Sequence, residues 1–65
     1  MDKFISIKST CERTSLSRTS LWRKVRDGKF PKPVPLGDGI RKAFVESEVT
    51  AWIAGRVAER DREVA

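Results

Sequence analysis

The spacing of apolar positions changes several times along this chain, and each change marks an element. Phe4 to Ile7 (FISI) is a short apolar run, either a strand or the lead into a helix. Behind it Ile7, Cys11 and Thr14 recur at i, i+4, i+7, which predicts a two-turn helix through KSTCERT with these side chains on one face. Cys11 reads there as a small buried hydrophobe. Ser15 and Leu16 read as a tight turn. Ser17 then suits an N-cap, its hydroxyl accepting from a free backbone N–H of the next turn. A second helix follows from Arg18 to about Asp27, and Gly28 ends it by taking the left-handed conformation. Leu16, Leu21 and Val25 point to the core. Thr19, Arg23 and Arg26 fall on the opposite face, Ser20 and Lys24 on one flank, and Trp22 on the other.

After Gly28 the period shortens. Val34 and Leu36 alternate with Pro33 and Pro35, and prolines confine such a strand to a sheet edge. Gly37 to Gly39 (GDG) reads as a hairpin turn, and IRKAFV returns as the second strand of a small β-wing. The last segment has the strongest helical period: Val49, Trp52, Ile53 and Val57 recur at i, i+3, i+4, i+8. Glu46 and Glu48 lie in its first turn, where the helix dipole favours acids. Gly55 weakens it by roughly 1 kcal/mol against alanine. Beyond Arg60 the chain is polar and is expected to fray. The order helix, tight turn, helix, two-stranded wing, helix predicts an α+β, mainly helical, winged helix-turn-helix. One domain over residues 1–65 is expected, with 61–65 frayed.

Charge sharpens this picture. The chain of 65 residues carries 14 Lys and Arg against 9 Asp and Glu, for a net +5. The excess is uneven: residues 1–45 hold 11 basic and 4 acidic side chains, residues 46–65 hold 3 and 5. Six of the basic residues (Arg18, Arg23, Lys24, Arg26, Lys29, Lys32) lie between Ser17 and Pro33 with one acid, Asp27. One acid is too few to absorb them in intrahelical pairs, so the segment points to a polyanionic partner. In a helix-turn-helix the second helix enters the DNA major groove. Arg23 and Arg26, on successive turns of the outer face, would reach base edges, where arginine pairs bidentately with guanine. Arg18, Thr19 and Ser20 at the helix N-terminus would meet a phosphate through backbone N–H groups. Lys24, Lys29 and Lys32 on the flanks suit phosphate contacts. Trp22 has two compatible readings, packing under the helix or offering its indole N–H to a phosphate. Arg41 and Lys42 near the hairpin tip either touch a neighbouring groove or backbone, or belong to a solvated hairpin.

Composition argues against other classes. There is no histidine and a single cysteine, which removes the usual general base, a disulfide framework and a cysteine-based zinc site. Paired carboxylates in an apolar setting and a phosphate-binding glycine loop are also missing, so neither an enzyme nor a cofactor, metal or small-molecule substrate is expected. MDKFISIKST lacks the apolar stretch of a signal peptide, and no apolar run approaches the ~20 residues of a membrane span. A cytoplasmic setting without membrane contact is expected. Few aromatics, mostly at core spacings, argue against single-stranded nucleic acid.

Three motifs in order, LSRTSLWR, GKFPKPVPLG and ESEVTAWI, give the chain from about Ile5 to Glu59 a resemblance to the AlpA family of small phage regulators, which are related to excisionases and to MerR-like winged-helix domains. The resemblance implies a winged helix-turn-helix that binds DNA at prophage or genomic-island loci, as a regulator of transcription, an excision factor, or both. Arg18, Thr19, Ser20, Trp22 and Arg23 match the start of the family's recognition helix, with Trp22 in place of tyrosine. Phe44 stands where tryptophan is common, and Trp52 matches a tryptophan of the last helix. The chain departs at Ser15, where the turn usually has glycine, at Thr10, where the family is aliphatic, and at Ile40 and Lys42 of the wing.

The reading is sequence-specific binding of double-stranded DNA, as a regulator or an excisionase that bends DNA and recruits integrase without chemistry of its own. Integrase and further copies of the protein on DNA are the possible partners. The alternative is a module that captures an acidic regulatory protein without DNA.

Overall fold

The computed structural model describes residues 3–37 and 39–64. Asp38 of the expected GDG turn, Met1 and Asp2 of the leading segment, and Ala65 of the tail lie outside the described residues.

Two serines with nearly the same backbone geometry start the first two helices. Ser6 (φ −69°, ψ 162°) accepts from Ser9 N–H at 3.0 Å and opens α1, Ile7–Thr14. Ser17 (φ −71°, ψ 162°) accepts from Ser20 N–H at 3.1 Å and opens α2, Arg18–Arg26. Such caps are worth about 1 kcal/mol each. Between the helices Ser15 takes the left-handed conformation, φ 59°. A glycine would hold that angle without steric cost, whereas a non-glycine residue there is strained by roughly 1–2 kcal/mol. The helix-turn-helix therefore keeps its tight turn despite the serine.

Strand β1 (Phe4–Ile5) precedes α1, β2 spans Val34–Pro35, β3 spans Lys42–Val45, and α3 runs Glu46–Val64. Both readings of the FISI run hold: Phe4 and Ile5 are strand, Ile7 is helix. The wing differs from expectation in two respects. It is three-stranded, in the order β1-β3-β2, with Phe4 opposite Val45 and Val34 opposite Ala43, both pairings antiparallel. The β2 hairpin occupies one edge of β3, and the extended residues ahead of the Ser6 cap fill the other. A backbone bond from Glu46 N–H to the Lys3 carbonyl, 2.7 Å, extends that ladder. Second, the returning strand starts at Lys42, and Ile40 and Arg41 belong to the connection, which Leu36 N–H closes on the Arg41 carbonyl at 2.9 Å. The Leu36–Arg41 bond leaves four residues, 37–40, in the connection, and Gly37 and Gly39 both have positive φ, 95° and 87°. Ile40 is 93% exposed, and Leu36 is exposed as well.

Leu21, Phe30, Phe44 and Val49 form the buried core, with Ile5, Ile7, Cys11, Leu16, Trp22, Val25, Trp52 and Ile53 packed around it. Thr10 is also fully buried, but no polar atom is orphaned: its hydroxyl donates to the Ser6 carbonyl at 2.9 Å. A threonine thus fills an aliphatic position at little cost, because the helix itself supplies the acceptor. Along α3 only the first part of the apolar stripe is covered. Val49 is buried and Trp52 and Ile53 half-buried, while Val57 is 44% exposed. The helix outruns the body of the domain. It remains helical through Val64, and every side chain described from Ala54 to Glu63 is exposed.

Candidate nucleic-acid interface

Helix α2 is fixed at both ends. Its N-terminus is held by the Ser17 cap, whose hydroxyl also donates to Ser20 Oγ at 3.0 Å. Its C-terminus ends in a Schellman motif. Gly28 is left-handed, φ 73°, its N–H donates to the Val25 carbonyl at 3.2 Å, and Lys29 N–H donates to the Lys24 carbonyl at 2.8 Å. The Lys29 carbonyl then accepts from the Trp52 indole Nε1 at 2.8 Å, tying the end of α2 to α3. Underneath, four aromatic rings run in contact from Trp22 through Phe44 and Phe30 to Trp52, with centroids 6.0, 5.3 and 4.9 Å apart. Such pairs add about 0.5–1.5 kcal/mol each beyond burial. They join α2, β3, the segment after α2 and α3 into one frame.

Leu21 anchors the buried side of α2 and Val25 lies half-buried beside it. Arg18, Thr19, Arg23 and Arg26 are exposed, as the helical period requires. Ser20 and Lys24 are half-buried. Lys29 and Lys32 follow the helix and are exposed. Among the described residues Arg18, Arg23, Lys24, Lys29 and Lys32 have no carboxylate partner, and only Arg26 meets one, Asp27 at 3.3 Å. At the N-terminus the backbone N–H groups of Arg18 and Thr19 have no protein partner, but that of Ser20 is consumed by the cap. Ser20 therefore has its hydroxyl, not its N–H, to offer an anion. The Trp22 ring packs on Phe44, as its core reading expects, and its indole N–H is neither bonded within the protein nor buried without a partner.

Arg41 and Lys42 are exposed on the wing, on a different element from the α2 cations. Lys42 lies opposite Pro35 in the strand register. The link between the two groups is indirect, through Phe44 in β3 and its contact with Trp22. Two supports of the site had no pattern to betray them. Phe30 is buried at the centre of the aromatic chain, yet it stands alone between Lys29 and Pro31 with no periodic neighbours. The Trp52 bond to the Lys29 carbonyl joins residues 23 apart, and local spacing carries no signal of it.

A capped helix-turn-helix, a hairpin wing on a three-stranded sheet, and a supporting third helix define a small winged helix-turn-helix protein. Its outward face is cationic. The family model described as Prophage CP4-57 regulatory protein (AlpA) matches residues 3–57, and the chain belongs to that family. A protein of Enterobacteria phage P4, described as Uncharacterized protein ORF88, is 41% identical over 61 residues, covering 94% of this chain and 68% of the phage protein. No solved structure matches the chain. Among the described residues no helix is long and apolar enough to cross a membrane.

Proposed function

We propose that this prophage-type regulator acts by binding double-stranded DNA sequence-specifically, with α2 in the major groove. The observation that carries the reading is a set of cations without carboxylate partners on a helix pinned at both ends. Arginines on successive turns suit guanine edges, and the flanking lysines suit phosphates. The free N–H groups of Arg18 and Thr19 add an anion contact at the helix start. Arg41 and Lys42 on the wing extend the contact to the neighbouring backbone or groove. The protein then works in the cytoplasm, on a prophage or genomic island, as a transcriptional regulator, an excision factor, or both. An excision factor on this frame is architectural: it bends the site and gathers integrase, and further copies of itself, without chemistry.

Selection from a random duplex library tests the sequence-specific part, and enrichment of one motif is the expected result. Affinity for the selected duplex across a salt series tests the electrostatic part. The logarithm of affinity should fall with the logarithm of salt by about 0.9 for each phosphate neutralised. A flat salt response, with binding only to acidic protein, would replace this reading by the protein-capture alternative.

A further inference from the structure

Beside α2, on the side facing α3, lies an open cleft of about 410 Å³ lined by Lys24, Lys29, Trp52, Gly55, Arg56 and Glu59. The four α3 residues are spaced i, i+3, i+4, i+7, so they form one stripe of that helix. Three cations therefore converge on a groove that holds one carboxylate, and that carboxylate is already engaged: Glu59 Oε2 accepts from Arg56 Nη1 at 2.9 Å. The guanidinium has five N–H donors, and this bond leaves most of them available. The Trp52 N–H is spent on the Lys29 carbonyl, so Trp52 contributes its ring as an apolar wall.

Gly55 is the second observation. It sits inside a helix, where glycine is less favourable than alanine. Nothing in the protein requires it there: its φ is not positive, and a Cβ would meet no atom within 4 Å. Internal packing gives no reason for the missing side chain. The cleft does, because a glycine lets another molecule approach the helix backbone closely.

We propose that this cleft seats a sugar-phosphate segment of the DNA backbone bordering the groove that α2 enters, and that Arg56 of α3 is a phosphate ligand. The proposal rests on the DNA-binding reading above and extends it to a third helix. The cleft is continuous with that interface, since Lys24 and Lys29 belong to both. Its makeup fits the ligand: cations for the phosphate, an indole face for the deoxyribose, and a glycine where the backbone comes nearest. Glu59 orients Arg56 in the free protein and opposes the phosphate by its charge.

The test is fluorescence anisotropy with a labelled mixed-sequence 20-base-pair DNA duplex over a salt series, using the full chain. Arg56→Gln should make the salt slope less negative by about 0.9, the share of one phosphate, while Arg56→Lys retains it. Glu59→Gln keeps an acceptor for Arg56 and removes the opposing charge. It should raise affinity at low salt by roughly threefold, the size expected for one unit charge a few ångströms from a phosphate in high dielectric. Gly55→Leu should raise the melting temperature and lower affinity, opposite signs that a purely structural role does not give. Circular dichroism of each variant checks the fold; Arg56 and Glu59 side chains are 62% and 50% exposed, so their replacement leaves the core intact.

If the wild type binds with a steep salt slope and Arg56→Gln, Glu59→Gln and Gly55→Leu match it, the cleft is not at the DNA and the proposal falls while the wider reading stands. If the wild type shows no salt-dependent binding, the DNA-binding reading falls first and this one with it. Amide shifts at Gly55 and Arg56 on adding inorganic phosphate or a nucleoside triphosphate separate the remaining source of the same chemistry. Saturable binding of either at micromolar concentration, without a DNA effect of Arg56→Gln, would make the cleft a small-anion site and overturn the proposal.

Discussion

Helix α2 and the second half of α3 are both rich in arginine, but they pair the charge to different extents: on α2 only Arg26 meets a carboxylate, and on α3 only Arg62 lacks one among the described residues. On α2 and the segment behind it, Arg18, Arg23, Lys24, Lys29 and Lys32 have no carboxylate partner among the described residues. On α3, Arg56 pairs with Glu59 at 2.9 Å and Arg60 with Asp61 at 2.8 Å. The supports differ as well. The α2 region is capped, closed by a Schellman motif and backed by the aromatic chain, whereas the α3 extension is exposed in every side chain described from Ala54 to Glu63. Cations that repel one another on a rigid frame are costly to the free protein, and an external anion relieves that cost. The i,i+3 pair Arg56–Glu59 serves the helix itself by a few tenths of a kcal/mol, whereas the adjacent pair Arg60–Asp61 lies outside that spacing and is worth little. Arg56 stands at the border between the two regimes, half committed to Glu59 and half facing the cleft.

The contrast breaks most severely if the frame beneath α2 is removed. Phe44 is fully buried and touches both Trp22 and Phe30. Phe44→Ala should cost about 3–5 kcal/mol, comparable to the whole stability expected of a domain this small. Thermal unfolding followed by circular dichroism should show the cooperative transition lost at room temperature. Trp52→Ala removes a half-buried ring and the bond to Lys29, and should approach the same outcome. A cooperative melt near wild type for Phe44→Ala would mean that α2 is held by its caps alone.

Under the proposed DNA-binding reading, substitution separates base-reading from backbone-positioning cations of the α2 region. Arg23→Ala should cost roughly 1–3 kcal/mol at one position of the preferred site and relax the preference there, whereas Lys29→Ala should weaken all duplexes alike. Competition with single-base variants of the selected duplex measures this. Identical profiles for the two variants would show that Arg23 touches phosphate only.

The two regions also differ in how far they could be read from the sequence. The α2 face was legible because local rules govern it: Ser17 caps, Gly28 terminates, and a 3.6-residue period sorts Leu21 from Arg23. The winged helix-turn-helix order followed from such rules, repeated element by element. What escaped is non-local. The pairing of Phe4 with Val45 joins residues far apart in the chain, and a two-residue strand has no period to detect. Phe30 is core because β3 and α3 meet over it, not because of its neighbours. In α3 the apolar stripe is sound as a helical pattern, yet Val57 is exposed because the period of a helix does not tell where the opposing surface stops. Ile40 opens the IRKAFV segment read as the returning strand, but the connection closes at the Leu36–Arg41 bond, and Ile40 sits inside it in solvent.

A finer probe of the frame is Trp52→Phe, which keeps an aromatic ring against Phe30 and deletes the indole N–H. The lost bond to the Lys29 carbonyl should cost about 1 kcal/mol of stability. The end of α2 would be released, so affinity for DNA should fall modestly and equally for all sequences, as Lys29 loses its fixed position. Urea unfolding and anisotropy on the same samples measure both quantities. A change in base preference instead would show that the tie orients the base-reading face and not only the segment behind it.

The smallest effect is expected where the charge is paired and the helix unsupported. Arg60 donates to Asp61 through Nε and Nη2 at 3.1 and 2.8 Å, but both side chains are more than 60% exposed. Exposed pairs of this kind contribute between zero and about 0.5 kcal/mol once solvent screening and side-chain ordering are counted. Arg60→Ala should therefore melt within experimental error of wild type. It also lowers the net charge by one; Arg60 lies one helical turn past Arg56 but is exposed and paired with Asp61, so only a small, screened contribution to DNA attraction is lost. Affinity should change less than twofold and the salt slope not at all. Set beside Arg23→Ala, the same substitution of the same residue type would then have opposite consequences on the two helices. A loss of slope at Arg60 would mean that the DNA runs along the whole of α3, and that pairing within a helix does not mark its arginines as idle.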